Sequence, residues 1–176
     1  VVFTKEDVFK ADTILKSGPI NQSEISLLHS HQIIFSPILL PNQTKNMVKC
    51  MMEKRITAIA FEYVKGDYGT YPFMRSMSEI AGNYAITTAA RYLSNEYGKG
   101  ILLGGIAGQP PAKVMIIGAG TVGEAAAKSA LALGASVQVF DDNIYRLSRL
   151  QNDLGNKIYT SVIDPINLAK NISRAH

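Results

Sequence analysis

The stretch Lys113-Val-Met-Ile-Ile-Gly-Ala-Gly-Thr-Val-Gly-Glu124, followed by Ser136-Val-Gln-Val-Phe-Asp141, restricts the fold of this chain more than any other. It reads as an apolar strand, a Gly-x-Gly-x-x-Gly turn, an Ala-rich helix and a second apolar strand ending in an acid. Each glycine has a separate task in such a turn. Gly118 permits the tight bend, Gly120 lets backbone approach a pyrophosphate, and Gly123 lets the helix pack closely on the strand. The helix start offers unpaired N–H groups and a positive dipole end to phosphate. Asp141 follows Gly118 by about 20 residues, where a carboxylate accepts from both adenosine ribose hydroxyls. The same charge repels a 2′-phosphate, so the expected cofactor is NAD rather than NADP. A glycine turn alone is weak evidence, since strand–helix junctions often use one. Here the strand before it, the helix after it and the spacing of the acid all agree.

Bulk properties narrow the rest. Eighteen basic residues against 14 acidic ones give a formal charge of +4, and the basic residues are scattered. No Lys/Arg run interleaved with aromatics suggests a nucleic-acid partner. No apolar run is long enough to span a membrane, and no secretory signal is visible, so direct membrane insertion is not expected. A single cysteine, Cys50, excludes an internal disulfide and fits a reducing compartment, so a cytoplasmic location is expected. Cys50 lies in Met47-Val-Lys-Cys-Met-Met52, a helical apolar pattern that favours a structural thiol over a nucleophile.

The first half also alternates helix and strand signals. Short helices are expected over Lys5–Ala11 and Gln22–His29, and strands over Asp12–Lys16, Gln32–Phe35 and Ile56–Phe61. A helix should run from about Asn42 to Lys54, and Gly66–Thr70 should form a turn. A long helix should open at Ser76, which has capping-box spacing to Glu79, and end near Ser94. Beyond Asp141, a helix is expected over Ile144–Leu154, a strand over Lys157–Val162 and a helix from Pro165. This order predicts an α/β protein with doubly wound parallel sheets. The expected organisation is a partial substrate-type domain over 1–95, a Gly/Pro-rich connector over 96–112, and a partial Rossmann domain over 113–176. A Rossmann sheet of so few strands leaves an exposed edge, and the N-terminus begins abruptly without Met. A fragment of a longer protein is therefore expected.

Four segments together resemble the alanine dehydrogenase family. They are Ile56-Thr-Ala-Ile-Ala-Phe-Glu-Tyr-Val64, Met77-Ser-Glu-Ile-Ala-Gly82, Gly100-Ile-Leu-Leu-Gly-Gly-Ile-Ala-Gly108 and Pro110-Pro-Ala-Lys-Val-Met-Ile-Ile-Gly-Ala-Gly120. The last suits the NAD-binding subunit of proton-translocating transhydrogenase equally well. The similarity runs from about Asp12 to the C-terminus. It implies an NAD-dependent oxidoreductase that acts on a small-molecule substrate and assembles as a homo-oligomer, a dimer or hexamer. It also implies cofactor contacts from Ser78 near the pyrophosphate, Val122 and Gly123 at the turn, Asp141 on the ribose and Arg146 near the adenosine. In a helix opening at Ser76, Ser78 falls in the first turn, where its hydroxyl faces phosphate; plain helix capping is the other reading. An Arg on a helix face is usually solvated.

The catalytic side of the family does not carry over. The position of its acid–base histidine falls on Leu39, which cannot transfer a proton. Lys16 is a candidate substrate contact, although alignment through Pro19 puts Ser17 at the carboxylate-binding lysine. The family's arginine falls before Val1 and its aspartate beyond His176. His29 and His31 flank a polar loop, His176 is terminal, and no cluster has metal spacing, so no metal is expected. Glu62 matches a family acid, but a strand-end carboxylate is more often a capping group. Three functions stay open. The chain is the NAD-binding portion of an alanine dehydrogenase-like enzyme, a transhydrogenase-type subunit, or a non-catalytic NAD-binding protein. Turnover by the chain alone is not expected.

Overall fold

The computed structural model describes residues 3–173 and Ala175. The chain forms two compact units, Val1–Met74 and Arg75–His176.

The first unit carries helix α1 (Lys5–Val8), strand β1 (Thr13–Leu15), strand β2 (Ile33–Ser36), helix α2 (Lys45–Glu53) and strand β3 (Thr57–Ala60). The strands make a three-stranded sheet in the order β1-β2-β3. Both pairings are parallel, with Thr13 opposite Ile33 and Ile33 opposite Thr57. Thr4 and Thr44 accept N–H bonds at the starts of α1 and α2, which fixes where these helices begin. Ile14 and Ile34 on the sheet meet Phe9, Ile20, Leu28 and Met47 in one apolar core, with Cys50 half-buried against it.

The segment Gln22–His29 is not a full helix; only Ile25–Leu27 forms a 3₁₀ turn. Asn21 and Glu24 exchange bonds at its start, the Asn21 N–H to Glu24 at 2.9 Å and the Glu24 N–H to Asn21 at 3.1 Å. The Lys54 ammonium then donates to the carbonyl oxygens of Ile25 and Leu28. The Leu27 and Leu28 N–H groups reach back only three residues, to the Glu24 and Ile25 carbonyl oxygens, so the segment stays a 3₁₀ turn.

Helix α3 (Pro72–Leu93) opens one turn before the expected Ser76. Proline at a helix start has its φ already set and lacks an N–H that would otherwise be orphaned. Phe73 anchors this first turn, with its ring centroid 5.5 Å from that of Phe61 and 5.6 Å from that of Phe35. Ser76 is therefore an exposed interior position of the helix rather than its cap.

The second unit holds strand β4 (Lys113–Ile117), helix α4 (Thr121–Ala132), strand β5 (Ser136–Asp141), helix α5 (Ile144–Leu154), strand β6 (Ile158–Val162) and helix α6 (Pro165–Ile172). Its sheet has the order β4-β5-β6, again wholly parallel, with Lys113 opposite Ser136 and Val137 opposite Ile158. The central strand β5 buries Val137, Val139 and Phe140 completely, as a strand covered on both faces must. Ala126, Ala127 and Ala130 of α4 and Leu147 and Leu150 of α5 complete the core, with Ile86 of α3. Among the described residues, no helix is long and apolar enough to cross a membrane.

Candidate functional site

The turn after β4 is built as its glycines require. Gly118 has φ +106°, a left-handed conformation that disfavours any side chain. Its N–H donates to the Phe140 carbonyl oxygen at 2.6 Å, tying the turn to the end of β5. At Gly123 an added Cβ would lie 1.8 Å from the Gly118 carbonyl oxygen, so only glycine lets α4 start this close to β4. At Gly120 an added Cβ would meet nothing within 4 Å. That side of the turn is open backbone, available to a ligand.

Asp141 sits at the carboxyl end of β5 and is only 3% exposed. Its Oδ2 accepts the Ala119 N–H at 2.6 Å and its Oδ1 accepts the Asn143 N–H at 2.7 Å. These two bonds, Ala119 first, hold the carboxyl below the ordinary carboxylate range against the opposing effect of burial. The Arg146 guanidinium, 55% exposed on α5, adds a smaller attraction from 3.9 Å. Asp141 is therefore anionic at neutral pH. Asn143 caps α5, accepting from Tyr145 and Arg146, which turns the chain sharply after the acid.

Ser78, Gly118, Gly120, Val122, Gly123, Asp141 and Arg146 all line one cleft of about 730 Å³ within this unit. Thr121, which the fingerprint did not single out, lines it as well. Ser78 does not lie in a first helical turn, because α3 opens at Pro72. Ser78 is half-buried and well inside the helix, so its N–H is committed to the helix and only its hydroxyl can serve a ligand.

Gly82 accounts for how Ser78 reaches the cleft. A Cβ there would lie 2.3 Å from the Val122 carbonyl oxygen and 2.7 Å from the Ala125 Cβ. The missing side chain lets α3 cross against the first turns of α4. An isolated glycine inside a helical pattern was the only sequence signal for this crossing.

The candidates in the first unit have other partners. Lys16 gives its ammonium to Glu24 Oε2 at 3.1 Å and to the Pro19 carbonyl oxygen at 2.7 Å. Glu24 is 3% exposed and also pairs with Lys5 at 3.5 Å. Burial pushes the Glu24 carboxyl up, but the Asn21 N–H and the two lysines outweigh it and the net direction is down. Leu39 adopts left-handed backbone at φ 49°, ψ 47°. Its N–H donates to Glu62 Oε1 at 2.7 Å, and the Ile38 N–H donates to the same carboxylate at 3.0 and 3.2 Å. Glu62 is thus a buried backbone cap for the bend after β2. His29 and His31 are exposed, and His176 lies outside the described residues. Among the described residues, no group of three metal-ligating side chains occurs.

A parallel strand, a glycine turn backed by a helix, and a neighbouring strand tipped by a buried carboxylate define the class: an α/β protein built on the dinucleotide-binding fingerprint. The chain belongs to the alanine dehydrogenase/PNT family, its residues 1–81 matching the N-terminal domain and 85–176 the C-terminal domain. The alanine dehydrogenase of Methanococcus maripaludis is 39% identical over 177 residues, which cover 99% of this chain and 47% of that protein. The alanine dehydrogenase of Bilophila wadsworthia is 35% identical over 170 residues, covering 96% and 45%. A solved L-alanine dehydrogenase matches with a TM-score of 0.84 at 32% identity, over 99% of this chain and 48% of its own. The transhydrogenase from Sinorhizobium meliloti shares the fold, with a TM-score of 0.74 at 24% identity over 98% and 50%. The chain spans about half the length of the relatives it matches.

Proposed function

We propose that this chain is the NAD(H)-binding portion of an alanine dehydrogenase-like oxidoreductase. The reaction is hydride transfer between NAD and a small amino acid, L-alanine and water giving pyruvate and ammonia. The observation that carries this reading is the single cleft lined by the glycine turn, Asp141, Arg146 and Ser78.

The residues fit the cofactor. Gly118 to Gly123 offer a bare turn and the first N–H groups of α4 to a pyrophosphate, and Gly120 leaves open the space a side chain would fill. The anionic Asp141 suits ribose hydroxyls and opposes a 2′-phosphate, which selects NAD over NADP. The Ser78 hydroxyl and the Arg146 guanidinium complete the contacts, near the pyrophosphate and the adenosine. When bound, NAD supplies the hydride acceptor; the chain's own residues bind and orient it. In this reading residues 1–95 form the substrate-type domain, 113–176 the nucleotide domain and 96–112 the connector. The protein works in the cytoplasm as a homo-oligomer.

Leu39 supports a second reading. A leucine in the bend after β2 offers no proton, so a subunit that passes hydride to another nucleotide, as in a transhydrogenase, needs nothing it lacks. The two readings part in one assay on the longer protein that carries this sequence. L-alanine-dependent NADH formation selects the dehydrogenase. Hydride transfer between two nicotinamide nucleotides without any alanine reaction selects the other. This chain by itself should turn over neither.

A further inference from the structure

Resting on the nucleotide-cleft reading, we infer that Asp141 is a positioning residue for the glycine turn as well as a ribose contact: its carboxylate clasps the turn from beneath and sets where the N–H groups of α4 point. Both carboxylate oxygens are already engaged by backbone, Oδ2 with the Ala119 N–H at 2.6 Å and Oδ1 with the Asn143 N–H at 2.7 Å. The side chain is almost wholly buried, and Ala119 is fully so. A group that only received ribose hydroxyls would not be spent on two main-chain donors.

The clasp joins the two ends of the cleft. Ala119 stands between Gly118 and Gly120, and Gly118 itself is bonded to Phe140 at 2.6 Å, next to Asp141. Asn143 begins the turn that presents Arg146. One carboxylate therefore fixes both the pyrophosphate side, through Ala119, and the adenosine side, through Asn143. An amide at this position keeps one acceptor oxygen but sets an N–H₂ group against a backbone N–H. One of the two bonds is then lost and a buried donor is left unpaired.

A ribose contact and a clasp respond differently to a ligand without ribose hydroxyls. Binding of ADP and of 2′,3′-dideoxy-ADP should be measured by calorimetry for the wild-type chain and Asp141→Asn. The clasp predicts that the substitution weakens both ligands, the dideoxy analogue included, by roughly tenfold or more. Weakening of ADP with the dideoxy analogue untouched would overturn it and leave Asp141 a ribose contact alone. Amide hydrogen exchange on the wild-type chain keeps the test open if the variant does not fold. The Ala119 N–H should be protected like the core amides of β5, and exchange at a free-loop rate would equally overturn the clasp. Failure of the wild-type chain to bind either nucleotide would count against the cleft reading instead, and the Ala119 exchange would then decide the clasp on its own.

Discussion

Gly82 and the Val122 carbonyl oxygen are so close that a methyl group on Gly82 would lie 2.3 Å from that oxygen. No side-chain rotation can relieve a contact with backbone. Gly82→Ala must push α3 away from α4, lowering stability by about 1–3 kcal/mol. Because Ser78 rides on α3, NADH binding should weaken along with it. Urea unfolding and an NADH titration of the variant check both effects. Unchanged stability would mean that the crossing is looser than a 2.3 Å approach requires.

Two glycines of one turn should behave in opposite ways. Gly123→Ala drives a Cβ to 1.8 Å from the Gly118 oxygen, so it should destabilise the unit. Gly120→Ala meets nothing within 4 Å and keeps an allowed φ of −77°. Its stability should stay within about 1 kcal/mol of wild type. Its methyl group nevertheless stands in the space assigned to the pyrophosphate, so NADH affinity should fall at least roughly tenfold, which is about 1.4 kcal/mol. Thermal melting and calorimetry separate the two variants.

Acid should loosen the first unit through Glu24. Its folded carboxyl lies below its ordinary value, so the unfolded chain binds that proton more readily. The stabilisation is complete above the ordinary carboxylate range of about 4. It is lost as pH falls through the lower folded value. Glu24→Gln removes this source of acid sensitivity, so the difference in urea midpoint between wild type and variant should shrink from pH 7 toward pH 3. A constant difference would show that the pairing with Lys16 and Lys5 adds nothing.

Much of the nucleotide unit was legible in the sequence because its constraints are local. Gly118 needs positive φ, Gly123 needs closeness to the strand before it, and the alternation of apolar runs gives β4, β5 and β6 their parallel order. Features set by tertiary contacts are not legible in the same way. The capping-box spacing of Ser76 and Glu79 is sound chemistry, but Pro72 and the packing of Phe73 on Phe35 and Phe61 start the helix earlier. The helix expected over Gln22–His29 is only a 3₁₀ turn, held from outside by Lys54, which donates to the Ile25 and Leu28 carbonyl oxygens. The partnership of Asp141 with Ala119 was equally hidden, since spacing locates a carboxylate without revealing what it bonds.

Calorimetric titration of this chain with NADH and NADPH tests most directly whether the dinucleotide cleft discriminates through Asp141. Micromolar binding of NADH, much weaker binding of NADPH, and loss of NADH binding in Asp141→Ala are the expected results. Equal binding of both cofactors, or NADH binding that survives Asp141→Ala, would contradict that discrimination.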